Sequence, residues 1–149
     1  MITIEVNDQA VQAALNRIIR AGQDLKPVFE SIGEVMVHST KQRFVDGEAP
    51  DGSKWQENSA LTLSRKTGSD PLVGDGKALS TGIYYDASSE QLLIGSPQEY
   101  AAVQQFGASK HEFGKAPWGD IPARPFLGIS DSDKHAIEQL IQEHLAGFL

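Results

Sequence analysis

DLKPVFESIGEVMVHSTKQRF, residues 24 to 44, is the longest periodic segment of the chain. Leu25, Phe29, Ile32 and Met36 recur every three or four positions, and Ser39 or Thr40 carries the spacing on to Phe44. Such a period puts one stripe of a helix against a core. Pro27 fits the first turn, where a helix has no use for the missing N–H. Upstream, Val11, Leu15, Ile18 and Ile19 lie on one face of a preceding helix, which Asn7 or Asp8 can cap and Gly22 can stop. Two helices joined at Gly22 read as an antiparallel pair.

Working outward, MITIEV alternates apolar and polar residues and predicts a short strand. On the other side the helical period breaks. Residues 46–58, DGEAPDGSKWQEN, are a loop dense in Gly, Pro, Asp and Asn. Ser59 can cap a short helix through Arg65, and residues 68–78 form another loop. Residues 82–96 predict two strands around Ser88-Ser89-Glu90, a hairpin. EYAAVQQFG predicts a short helix ending before Gly107, and residues 108–120 have no period. Residues 121–125 predict an extended edge or lead-in. SDSDKHAIEQLIQEHLAGFL then predicts an amphipathic helix capped by Ser130 or Ser132, with Ile137, Leu140, Ile141, Leu145 and Phe148 as its stripe. The order is that of an α+β fold: a small antiparallel sheet with an N-terminal helical pair and a C-terminal amphipathic helix packed on it, with long loops. One domain over 1–149 is expected.

The bulk composition narrows the function. The chain is 149 residues long with a formal charge of −7. General nucleic-acid binding needs Lys and Arg to displace counterions from phosphates, so the acidic balance argues against it. The absence of cysteine removes disulfides, thiol nucleophiles and thiolate metal sites. No apolar run approaches the roughly 20 residues of a membrane span, and the N-terminus lacks the pattern of a secretory signal, so a cytosolic site of synthesis is expected.

Familiar chemistry is sparse. Ser80 lies in ALSTG, which is not a nucleophile elbow, and reads as a loop or strand-start serine. His38, His111, His135 and His144 have no metal-ligand spacing. Asp46, Glu48 and Asp51 miss the calcium-loop pattern, and Asp51-Gly52 reads as turn chemistry. Gly74 and Gly76 give a G-x-G without the residues that complete a phosphate cradle. No catalytic residue, metal or cofactor is expected. A small hydrolase with an unrecognised site is the alternative reading.

Two long loops each hold one of the two tryptophans, Trp55 and Trp118. Each ring is either part of the chain's own core or an anchor on another subunit. In IPARPFLGIS, residues 121–130, both Ile121 and Arg124 precede proline, which drives them out of helical geometry. The segment is therefore extended before it folds. It holds Arg124 on a stiff support, its planar fork suited to a carboxylate of this chain or another. Phe126 and Leu127 then lead into the fold.

These segments together resemble the phage virion morphogenesis family, the tail-completion proteins of contractile-tailed phages and Mu-like prophages. The resemblance rests on Arg43-Phe44, Pro50-Asp51-Gly52, Trp55, Leu61-Thr62, Lys66, Leu72, Gly76, Leu79, Tyr100-Ala101, Gln105-Phe106-Gly107 and Pro122 to Gly128, in that order over most of the chain. The sequence departs from the family's Leu-x-x-Thr-Gly-x-Leu segment, with Asp75 in the Thr place and a Thr-Gly pair only at Thr81-Gly82. Where a histidine is common in the family, Gln104 stands. The resemblance implies a structural protein, not an enzyme, that finishes the tail at its head-proximal end or neck and supports head–tail joining, working as a ring of copies. Its partners would be the tail tube or neck and connector proteins, with no membrane and no sequence-specific nucleic acid. An acidic ring lumen would let DNA pass without binding it. Assembly would take place in the host bacterial cytoplasm and end in the virion tail or neck. Trp55, Tyr100, Phe106, Trp118, Arg124 and Phe126 are the candidate interface residues.

Overall fold

The computed structural model describes residues 2–3, 9–57, 78–98, 100–108 and 121–146. Among the described residues eight elements follow one another: β1 (Ile2–Thr3), α1 (Gln9–Arg20), α2 (Lys26–Asp46), α3 (Ala78–Thr81), β2 (Tyr84–Ala87), β3 (Leu92–Ser96), α4 (Ala101–Phe106) and α5 (Asp131–Ala146). The three strands form an antiparallel sheet in the order β1-β3-β2. The architecture is α+β.

Helix α2 is the axis of the molecule. It packs on β2 and β3 and also on α5. Its buried residues, Val28, Phe29, Ile32, Gly33, Met36, Thr40, Arg43 and Phe44, keep the three-to-four spacing throughout its 21 residues. The Asp24 carboxylate accepts the Lys26 N–H at 2.9 Å just before it, and Pro27 occupies the first turn. Thr40 lies fully inside the fold, and its hydroxyl donates to the Met36 carbonyl at 2.7 Å. Gly33 sets how closely α2 approaches the sheet: a Cβ there would sit 2.5 Å from the Tyr85 ring. Tyr85 in turn reaches Glu34 Oε1 at 3.2 Å. Helix α1 ends at Gly22, where the N–H groups of Gly22 and Gln23 donate to the carbonyls of Ile19 and Ile18, a reciprocal C-terminal cap.

The antiparallel helical pair expected at the N-terminus is realised differently. The main neighbour of α1 is α5, while Leu15 and Ile18 share an apolar cluster with the first half of α2. The reason is that α5 offers Ile137 and Ile141, both buried, to α1 and α2 together. A second cluster surrounds the far end of α2: Phe44, Trp55, Leu79, Ile83, Phe126 and Leu127 belong to it. Ile94 touches both clusters, so β3 joins them.

The hairpin turns where the sequence predicts. Ala87 pairs with Leu92, and the Ser88 hydroxyl accepts the N–H groups of Glu90 and Gln91. One expectation is corrected. Ser80 lies in the short helix α3, not in a loop or at a strand start, because Leu79 must turn inward to meet the second cluster. The 121–125 segment is the lead-in of the two forms expected: it makes one bridge, Ala108 to Ile121, and among the described residues joins no sheet. Its two prolines cannot donate to a ladder. The Ser59–Arg65 helix, the Asn7 or Asp8 cap and Phe148 lie outside the described residues.

Candidate functional site

The residues that carry the motifs converge on one extended segment, 121–128. Its own sequence creates the need. Extended backbone buried outside a sheet leaves N–H and C=O groups that must find partners. Here side chains supply them. Trp55 Nε1 donates to the Pro125 carbonyl at 2.7 Å. Arg43 Nη1 donates to the Phe126 carbonyl at 2.8 Å. The Gln105 amide serves three groups: Oε1 accepts the N–H of Phe126 and of Leu127, and Nε2 donates to the Leu127 carbonyl, each at 3.0 Å. The Arg124 N–H donates to the Gln104 carbonyl at 2.8 Å.

A buried ion pair fastens this segment to the helices. Arg43 near the end of α2 pairs with Asp133 in the first turn of α5, and both side chains are buried. Burial pulls the Arg43 guanidinium below its ordinary pKa, and the charge and hydrogen bond of Asp133 act the other way. Asp133 also accepts the Ser130 N–H while the Ser130 hydroxyl accepts the Asp133 N–H, a capping box that starts α5. Ser39 adds a further hydrogen bond to the carboxylate. One acid thus caps α5 and ties it to α2. Phe44 fills the space between, 5.5 Å centroid to centroid from both Trp55 and Phe126.

Gly107 permits the close approach. Its φ is +74°, and a Cβ there would lie 2.7 Å from the Ile121 carbonyl oxygen and 2.8 Å from the Ala123 nitrogen. The Asp51-Gly52 turn is confirmed in detail: the Asp51 carboxylate accepts the Ser53 N–H and hydroxyl, which lowers its pKa.

The candidate interface residues therefore separate. Trp55 and Phe126 are buried in the protomer's own second cluster. Arg124 is also buried, and it grips carbonyls, not a carboxylate: Nε donates to Gln56 O at 2.8 Å and Nη2 to Glu57 O at 3.1 Å. Its guanidinium is pulled below its ordinary pKa by desolvation. Tyr100 and Phe106 face outward, 43% and 66% exposed. Trp118 lies outside the described residues.

Gln105 stands in the Gln105-Phe106-Gly107 motif and Asp133 in the capping stretch of the last helix, but sequence reasoning gave neither its role in this hub. Asp133 was legible: Ser130-x-x-Asp133 has capping-box spacing, and Arg43 continues the buried stripe of Met36 and Thr40, which asks for an acidic partner. Gln105 left no comparable signal, because its partners are backbone groups. Among the described residues no three His, Asp or Glu side chains gather as a metal site would require. An open groove beside the hub is lined by Pro50, Leu127, Gly128 and Ile129, with Asp51 and Asp131 among its other residues.

Residues 6–146 match the model of the phage virion morphogenesis family. The chain is 33% identical to Mu-like prophage FluMu G protein 2 of Haemophilus influenzae, over 97% of this chain and 96% of that protein. It is 28% identical to the putative capsid assembly protein G of Escherichia phage Mu, over 99% and 96%. It is 30% identical to tail completion protein S of Escherichia phage P2, over 72% and 75%. No solved structure matches it. With the family model spanning nearly the whole chain and relatives matching at almost full length, this chain belongs to the phage virion morphogenesis family.

Proposed function

We propose that this chain is a structural, non-enzymatic protein that completes or caps the phage tail at its head-proximal end and supports head–tail joining, working as a ring of copies. The observation that carries the reading is where the motif residues go. Trp55, Gln105 and Arg124 spend their polar atoms on the backbone of their own chain, and Arg43 divides its guanidinium between that backbone and Asp133, which is what a rigid building block needs. The tail completion protein of phage P2 supports the tail assignment. The partners are further copies of the chain and the tail tube or neck proteins. The subunits are made and assembled in the host cytoplasm and end in the tail or neck. The net charge of −7 suits a lumen that DNA traverses without being held.

The test is deletion of the gene from its phage or prophage, with lysates inspected by electron microscopy. Free heads and unjoined tails are expected, and the cloned gene should restore joined particles. Joined, infectious particles from the deletion would overturn the reading.

A further inference from the structure

Helix α1 departs from the charge of its chain. Its 12 residues, QAVQAALNRIIR, hold two arginines and no acid, while the protein as a whole carries −7. Leu15 and Ile18 form its buried side, and α5 is its main neighbour. Ala13, Asn16, Arg17 and Arg20 lie on the side turned away, and all four are exposed. Ile19 stands beside them, 52% exposed. The helix dipole favours cations in a last turn, which accounts for arginine there. It leaves both forks open: among the described residues neither guanidinium makes an ion pair or a hydrogen bond. Exposed arginine beside an apolar side chain is what interface anchors are made of.

A pair of the opposite sign lies elsewhere. Glu30 and Glu34 are one turn apart on α2 and both exposed. Like charges at this spacing weaken a helix. Among the described residues no ion pair reaches either carboxylate, not even from Lys26 one turn before Glu30. The Tyr85 hydroxyl donates to Glu34 Oε1 at 3.2 Å and holds that carboxylate in place, and Gly33 makes room for the Tyr85 ring. Desolvation raises the Tyr85 pKa, and the hydrogen bond to Glu34 and the charges of Glu34 and Glu30 raise it further, so both acids act on one hydroxyl. The two pairs belong to different surfaces: α1 rests on α5, whereas Glu34 sits beside β2, which packs on α2. Along their helix axes they are spaced alike, about 4.5 Å for Arg17 and Arg20 and about 6 Å for Glu30 and Glu34.

We propose that copies of the chain meet head to tail through these two surfaces, with Arg17 and Arg20 of one copy on Glu30 and Glu34 of the next. Copies of an acidic chain repel one another wherever acids face acids. Setting an unpaired cationic pair against an unpaired anionic pair removes that repulsion at the contact and relieves the like-charge strain in both helices. Guanidinium forks and carboxylates also match in geometry. The two patches differ, so the contact is heterologous, the kind that closes into a ring. The proposal rests on the ring reading above and names its surfaces.

Charge reversal tests it, read by light scattering on the purified full chain across concentration. Wild type should associate, and less so as salt is raised. Arg17→Glu with Arg20→Glu sets acids against acids, and Glu30→Arg with Glu34→Arg sets arginines against arginines. Each double variant alone should associate roughly ten-fold or more weakly than wild type. An equal mixture of the two restores opposite charges at every contact and should regain association near the wild-type level. Unchanged melting curves would show that both variants fold. Association untouched by either reversal, or a mixture no better than the separate variants, would overturn the contact while leaving tail completion to the deletion experiment. Retention of wild type on DNA, lost with Arg17→Glu and Arg20→Glu, would assign α1 to nucleic acid and overturn it too. A wild type that stays monomeric at every concentration would do the same.

Discussion

The two ends of α2 are stabilised by different physics. Around its first half, Leu15, Ile18, Phe29, Ile32, Ile137 and Ile141 are held by area and volume. Hydrophobic burial is non-directional, so any residue of similar size and apolarity serves. Around its last turns, the aromatic cluster is laced with bonds from Arg43, Trp55 and Gln105 to a non-repetitive backbone. Those bonds have direction, and each partner is specific. The first region specifies a class of sequences; the second specifies particular residues.

That contrast breaks most sharply at Asp133. Asp133→Ala should cost about 3–5 kcal/mol, because Arg43 is left charged and buried without its partner. Urea unfolding would measure it, and the double change Arg43→Met with Asp133→Leu should recover part of the loss. A loss below about 1 kcal/mol would mean that water reaches Arg43 and that the two regions differ less than argued.

Gln105→Met comes next. It keeps the volume but strands two N–H groups and one carbonyl, so about 2–4 kcal/mol should be lost. The same kind of isosteric exchange in the helical cluster, such as Ile141→Leu, should cost less than about 1.5 kcal/mol. Equal losses would erase the distinction. Gly107→Ala should cost about 1–3 kcal/mol in the same assay, since it combines a positive φ with contact against residues 121–123. Ile141→Val, one methyl group from a fully buried side chain, should cost about 0.5–1.5 kcal/mol.

The smallest effect concerns pH. The Ser53 hydrogen bonds hold the folded pKa of Asp51 below its unfolded value. Their contribution is present above the unfolded pKa and fades as pH falls through the lower folded one. Because Asp51 is exposed, global stability should barely register this. An NMR titration of the Asp51 carboxyl carbon should show the lowered midpoint, and Ser53→Ala should return it toward the ordinary value.

Much of the architecture was legible in periodicity. The α2 stripe, the short helix ending before Gly107, the Ser88 turn and the final amphipathic helix all follow from local spacing and turn chemistry, which the chain carries within a few residues of each position. The motif residues were legible as a set, but their roles were not. Arg124 has the fork for a carboxylate and found two carbonyls, because the chain that passes within reach, Gln56 and Glu57, offers backbone there. Trp55 suited a core or an interface and Phe126 stood among the candidate interface residues, and packing on Phe44 places both inside.

The amino-acid order alone thus carried the long helix α2, the helix before Gly107, the final helix and the hairpin, though not the short helix α3, together with the excess of negative charge and the membership of a phage assembly family. Tertiary structure alone decided that α1 lies chiefly on α5, that Arg43 meets Asp133 across 90 residues and that one amide, Gln105, holds the 126–127 backbone. The physical reason is range. Capping, helical period and turn geometry act between near neighbours, whereas a buried polar group takes whichever partner the folded chain brings to it, and that choice is made only when the chain has closed.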